Sequence, residues 1–159
     1  MTDIFVSRPT KIASEFQEGY KSFHQYLITQ NLNPVRLGAG QYTLDAPLMG
    51  VIKLIQRCKG AIILGYPRYD FSAAISGYGV NNSQILMNLP TPWNHIEAAL
   101  SFREPLPVLV IAHEGITGGV FDFGVTGQFV LTVNLSLIDW CKSEEFGGLF
   151  KVWKEQLNK

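Results

Sequence analysis

Two uninterrupted apolar runs, Ala61-Ile62-Ile63-Leu64-Gly65-Tyr66 and Pro107-Val108-Leu109-Val110-Ile111-Ala112, most narrow what this chain can fold into. Neither alternates between apolar and polar residues, so each reads as a strand covered on both faces. Shorter runs at Ile4-Phe5-Val6-Ser7, Pro34-Val35-Arg36-Leu37 and Phe129-Val130-Leu131-Thr132-Val133 supply further strands. Between them lie stretches with helical periodicity. Phe16, Tyr20, Phe23 and Leu27 mark a helix over about Ala13–Gln30, with Ser14 as its cap. A second begins at Pro47 and carries Leu48, Val51, Ile52 and Ile55 as its buried stripe. A closing helix, capped by Ser143, puts Leu149, Phe150, Trp153 and Leu157 on one face. The order β-α-β-α-β-loop-α-β-β-α predicts an α/β fold: a single-domain three-layer sandwich over residues 1–159, mainly parallel, with helices on both faces.

The helix that opens at Thr91 carries the chemistry. The Thr91 hydroxyl suits an N-cap. Pro92 then falls at the first helical position, where its missing N–H costs nothing. Trp93, Ile96, Ala99 and Leu100 predict an apolar face. Glu97, four residues after Trp93, is the only charged residue between Asp70 and Arg103. An acid beside an indole, with Ala98 and Ala99 next to it, suits a pocket wall.

Ligands of open parallel sheets bind outside the carboxyl ends of the strands. That places four loops on one rim: Ser7-Arg8-Pro9, Gly38 to Thr43, Tyr66 to Asn88, and His113 to Asp122. Glu97 opens at the same rim. Gly38-Ala39-Gly40 lacks the spacing of a dinucleotide fingerprint. The long Tyr66–Asn88 stretch shows no periodicity and is placed to cover Glu97.

Composition excludes several classes. Lys plus Arg equals Asp plus Glu at 13 each, and only 16% of the 159 residues are charged, so nothing points to nucleic acid or an anionic membrane surface. The low charge leans toward self-association. No apolar run reaches the roughly 20 residues a membrane helix needs. No signal peptide is legible, and a cytoplasmic location is expected. Cys58 and Cys141 lack a CxxC partner or nearby histidines, so no metal is expected and both read as reduced and structural. His95 and His113 have no partner for a catalytic dyad.

Several motifs resemble the Toll/interleukin-1 receptor (TIR) domains and the nucleoside 2-deoxyribosyltransferase-like enzymes. Ile4-Phe5-Val6-Ser7 resembles the opening strand of TIR domains, and Ile55 to Gly65 their third strand and its approach. Trp93-Asn94-His95-Ile96-Glu97 has the Trp-x-x-x-Glu spacing of the catalytic helix in TIR enzymes that cleave NAD. Glu97-Ala98-Ala99-Leu100-Ser101 is similar to the deoxyribosyltransferase helix whose Glu is the nucleophile, and Pro9 after Ser7 leans the same way. The similarity runs from about Asp3 to Val133. The deoxyribosyltransferases carry an Asp shortly before that Glu, where this chain has Leu89-Pro90-Thr91.

The resemblance implies a flavodoxin-like, TIR-like sheet and cleavage of an N-glycosidic bond. Glu97 is then catalytic. It stabilises an oxocarbenium-like transition state or attacks to form a glycosyl ester. Ser7, Arg8, Pro9 and Asn94 are candidates for sugar hydroxyls or phosphate. Tyr66, Tyr69 and Phe71 are candidates to stack on a base, and Trp93 to limit water. Asp122 would contact the sugar or cap a turn, the turn being preferred. The first expectation is cleavage of the nicotinamide–ribose bond of NAD by hydrolysis, cyclisation or transfer, in a bacterial-type immune or signalling role. NAD is then the substrate, with no separate cofactor, and a homo-oligomer or separate effector is the expected partner. The alternatives are a nucleoside or nucleotide N-glycosidase or 2-deoxyribosyltransferase, and a non-catalytic TIR-like assembly module.

Overall fold

The computed structural model describes residues 1–38, 46–71 and 87–157, with backbone alone at 69–71 and 87. Its main sheet has five strands: β1 (Thr2–Ser7), β2 (Leu32–Val35), β3 (Ala61–Gly65), β6 (Val108–His113) and β7 (Val130–Val133). The spatial order is β2-β1-β3-β6-β7, and every pairing is parallel. A separate antiparallel pair joins β4 (Tyr69–Phe71) to β5 (Met87–Leu89). The helices are α1 (Ser14–Thr29), α2 (Pro47–Arg57), α3 (Pro92–Arg103) and α4 (Glu144–Gln156). This is a flavodoxin-like three-layer sandwich. Its strand order reverses between β1 and β3, where ligands of such sheets bind.

Alternation along each strand sorts the core into two layers. Ile4, Val6, Ile62, Leu64, Leu109 and Ile111 face α1 and α4, where Phe16, Phe23, Phe146 and Phe150 meet them. Phe5, Ala61, Ile63, Val110 and Ala112 face α2 and α3, against Val51, Leu54, Ile55 and Ala98. Burial on both faces accounts for the continuous apolar runs. Each large side chain so buried contributes on the order of 1.5–3 kcal/mol.

Several elements differ from the sequence reading. Helix α1 begins at Ser14 itself, after Ala13, and no side chain caps it. Asn31, at φ 61°, turns the chain at once into β2, so that strand is Leu32–Val35 rather than Pro34–Leu37. Pro34 is tolerated because β2 is an edge strand. Helix α2 buries Gly50, Val51, Leu54 and Ile55, while Leu48 faces outward. The antiparallel pair β4–β5 borders the stretch expected to be without periodicity. Phe129 is exposed and precedes β7.

Helix α3 is turned about its axis from the expected orientation. Its buried residues are Asn94, Ala98 and Ser101, whereas Trp93 and Ile96 are 43% and 41% exposed. The apolar face looks outward at Trp93 and Ile96 while Leu100 packs against the core, and Asn94, Ala98 and Ser101 turn toward the sheet. Thr91 and Pro92 do what their types predict: the Thr91 hydroxyl accepts from the Asn94 N–H at 3.2 Å, and Pro92 is the first helical residue. Ser143 likewise caps α4, accepting from the Phe146 N–H at 3.3 Å.

Candidate active site

Strand β1 ends in Ser7, and its alternation puts that hydroxyl on the same face as Phe5, toward α3. On α3, Asn94 and Glu97 are three residues apart and share a face. The three side chains form one hydrogen-bonded line. Asn94 Nδ2 donates to Ser7 Oγ at 2.9 Å and lies 3.4 Å from the Leu64 carbonyl. Ser7 Oγ donates to Glu97 Oε2 at 2.5 Å. A hydroxyl has one hydrogen. Because Asn94 donates to the Ser7 oxygen, the Ser7 hydrogen is directed at Glu97. Asn94 is held in turn by the Thr91 hydroxyl, which donates to its Oδ1 at 2.9 Å.

The inner end of this line is sealed, Ser7 and Asn94 being 1% and 0% exposed, and Glu97 at its outer end is half-buried. Burial pushes the Glu97 carboxyl up to about 7. The Ser7 hydrogen bond and the charge of Arg36 oppose the rise without cancelling it. The acid therefore titrates near neutrality, which suits an acid–base group, and it is ionised, as a nucleophile has to be, above that value.

Arg36 went unremarked in the sequence because its residue pattern placed it inside a strand. In the fold it follows β2 at the sheet's carboxyl rim, within electrostatic reach of Glu97. The signal was available in the rim rule itself, once β2 is known to end at Val35.

The other candidates divide. Trp93 stands one helical turn before Glu97, at the surface. Arg8 alternates to the opposite face, where its guanidinium lies 4.3 Å from the centre of the Tyr20 ring. Its Nη1 donates to the carbonyls of Pro9 at 2.5 Å and Thr10 at 3.3 Å. Pro9 is itself buried.

Tyr66 does not present a ring to the site. It continues the α1-facing side of β3, is 1% exposed, and meets Phe16 edge-on at 5.4 Å. The side chains of Tyr69 and Phe71, and the Gly38-Ala39-Gly40 stretch beyond Gly38, lie outside the described residues.

Asp122 caps a turn, accepting from the Gly118 N–H at 2.7 Å and the Thr117 hydroxyl at 2.9 Å. His95 packs against Phe121, ring centres 5.6 Å apart. His113 Nδ1 accepts from the Leu135 N–H at 3.1 Å. Neither histidine touches Glu97. Cys58 donates to the Leu54 carbonyl, and burial pushes its thiol up to about 12, which removes it as a nucleophile.

No family model and no curated protein matches the sequence. Among solved structures, a Clostridium botulinum CMP N-glycosidase, BcmB, is similar in fold. The match has a TM-score of 0.55 at 12% identity and covers 94% of this chain and 98% of that one.

Proposed function

We propose that this chain is an N-glycosidase that releases a base from a nucleoside or nucleotide, with Glu97 meeting the ribose C1′. The observation that carries this reading is the buried Asn94–Ser7–Glu97 line at the carboxyl ends of β1 and β3. A carboxyl poised near neutrality, in the crevice where this strand order binds ligands, suits a reaction that develops positive charge on a sugar. The similarity in fold to a CMP N-glycosidase supports the same class of reaction.

The chemistry balances without an oxidant. Ionised Glu97 forms a bond to C1′ as the C1′–N bond breaks, and the electron pair leaves with the base, which takes up a proton. Water then attacks C1′ and frees the carboxylate. Ser7 keeps one carboxylate oxygen engaged, so the other is the one presented to the sugar. NAD, in which nicotinamide is joined to ribose by the same type of bond, belongs among the substrates to be tried.

The test is base release by wild type and Glu97→Gln, followed chromatographically over a panel of nucleosides, nucleoside 5′-monophosphates with CMP first, and NAD. Adding a second free base separates hydrolysis from transfer. A range of protein concentrations would reveal an assembled active form. Wild type should release one base, and Glu97→Gln should lose on the order of a thousandfold in rate or more. Equal release by both proteins, or none by wild type across the panel and concentration range, overturns the reading.

A further inference from the structure

A cleft of about 500 Å³ opens between α1 and the end of β2, and Arg8 in its wall directly follows Ser7, the hydrogen-bond partner of Glu97. Its walls include Arg8, Tyr20, Lys21, His24, Pro34 and Arg36, and none of the described residues lining it is acidic. Lys21 is paired with Glu18 at 2.6 Å on the exposed side of α1. Arg8 and Arg36 are the inner cations. Arg8 stands over the Tyr20 ring at 4.3 Å, and its Nε is sealed from solvent without a partner among the described residues. A second buried polar atom without a partner there, the Tyr66 hydroxyl, lies within electrostatic reach of Arg8 and Tyr20.

Nη1 of Arg8 is answered by the Pro9 and Thr10 carbonyls, but burying its Nε–H unpaired is costly unless something answers it. The two arginines also oppose each other: Arg36 is pushed below its ordinary value by burial and then by the charge of Arg8. The carboxyl nearest in effect is Glu97, and it titrates near neutrality, so its compensation is partial. Burial, reinforced by Arg8, keeps His24 toward its neutral form. Two cations lining one cleft, one of them with an unpartnered Nε–H, and no acid among the described lining residues form a site for an anion with several acceptor oxygens.

We propose that this cleft binds a phosphate monoester through Arg8 and Arg36, so that the substrate presented to Glu97 is a nucleotide in preference to a free nucleoside. Arg36 is the link: it lines the cleft with Arg8 and Tyr20 and lies within electrostatic reach of Glu97. The anion site stands on the cleft alone; the choice of nucleotide over nucleoside rests on the N-glycosidase reading.

The experiment is calorimetric titration of the full chain with inorganic phosphate, against chloride of equal ionic strength, for wild type, Arg36→Gln, Arg36→Lys and Glu97→Gln. Glu97→Gln should bind phosphate at least as tightly as wild type, because it removes a negative charge within electrostatic reach of Arg36. Arg36→Gln should bind about 10-fold more weakly or worse, with Arg36→Lys between them, since a lysine keeps the charge and loses the fork. A thermal melt of each variant separates lost binding from lost folding. In turnover, the ratio of kcat/KM for a nucleoside monophosphate to that for the matching nucleoside should shrink about 10-fold in Arg36→Gln. No phosphate binding by wild type, or equal binding by a folded Arg36→Gln, overturns the site. An unchanged ratio overturns the substrate preference. Phosphate binding lost in Arg36→Gln while wild type releases no base upholds the anion site and sinks the N-glycosidase reading instead.

Discussion

Ser7 and Glu97 are ninety positions apart in the chain, and their side-chain oxygens are 2.5 Å apart in the fold. One sits at the last residue of β1, the other one turn into α3, so the contact exists only when the sheet and the helix layer are both formed. The hydrogen bond favours the ionised form of Glu97, against the burial that disfavours it.

Ser7→Ala removes that hydrogen bond and leaves Asn94 Nδ2 with the Leu64 carbonyl as its described partner. The Glu97 carboxyl then moves further above about 7. If the ionised acid is the reacting form, the acidic limb of kcat/KM against pH shifts to higher pH, with a stability loss of about 1 kcal/mol. Ser7→Thr, which keeps the hydroxyl, should largely restore the limb. An unshifted limb in an active Ser7→Ala protein would show that Ser7 does not set the acid's ionisation.

Glu97→Gln should stabilise the protein at alkaline pH. The folded-state value of about 7 lies above the ordinary 4.5, so the fold binds this proton more tightly than the unfolded chain does. The stability it contributes is present below about 4.5 and is lost as pH rises through 7. The full difference is about 3 kcal/mol as an order of magnitude. Urea titrations at pH 5 and pH 8 check it: the drop between them should be smaller in Glu97→Gln than in wild type, and an identical drop would refute the linkage.

The legible parts of this fold are those whose cause is local or two-sided. Ala61–Gly65 and Val108–His113 stand out because burial on both faces leaves no polar gap in the run. Thr91 and Pro92 mark the start of α3 because capping is chemistry between neighbours. The facing of α3 was not legible. Trp93, Ile96 and Leu100 have the spacing of a buried stripe, yet Asn94 is the residue turned inward. It can be buried only because Ser7 and the Leu64 carbonyl, from two other strands, meet its amide. The placement of Tyr66 escapes the sequence for a related reason. Which face of β3 looks toward the acid depends on the register Ser7↔Ile63, and that pairing puts Leu64 and Tyr66 on the far side. Glu97 was legible as an isolated charge; its setting came from residues distant in sequence.

Gly19→Ala tests the seat of α1. An alanine ordinarily favours a helix interior over glycine by about 1 kcal/mol. Here a Cβ would meet the Leu135 carbonyl at 2.5 Å and the Leu137 carbonyl at 2.8 Å, both backbone atoms that cannot swing aside. The clash outweighs the propensity, and a net loss of about 1–3 kcal/mol is expected in urea unfolding. Gly147→Ala is the control: nothing lies within 4 Å of the added carbon, and this position in α4 should gain stability.

His113 gives the opposite pH response to Glu97. Its Nδ1 accepts the Leu135 N–H at 3.1 Å, its ring meets Phe16 edge-on at 4.8 Å, and burial holds it below its ordinary 6.5 although Glu114 and Glu15 pull upward. A protonated ring cannot accept that hydrogen bond at Nδ1. The stability it contributes is present above 6.5 and is lost as pH falls through the lower folded value. The ring is only partly buried, so solvent screening keeps the effect modest. His113→Asn keeps an acceptor without a proton to gain. Its unfolding midpoint should fall less than that of wild type between pH 7 and pH 5, and an equal fall in both proteins would assign the acid sensitivity to other groups.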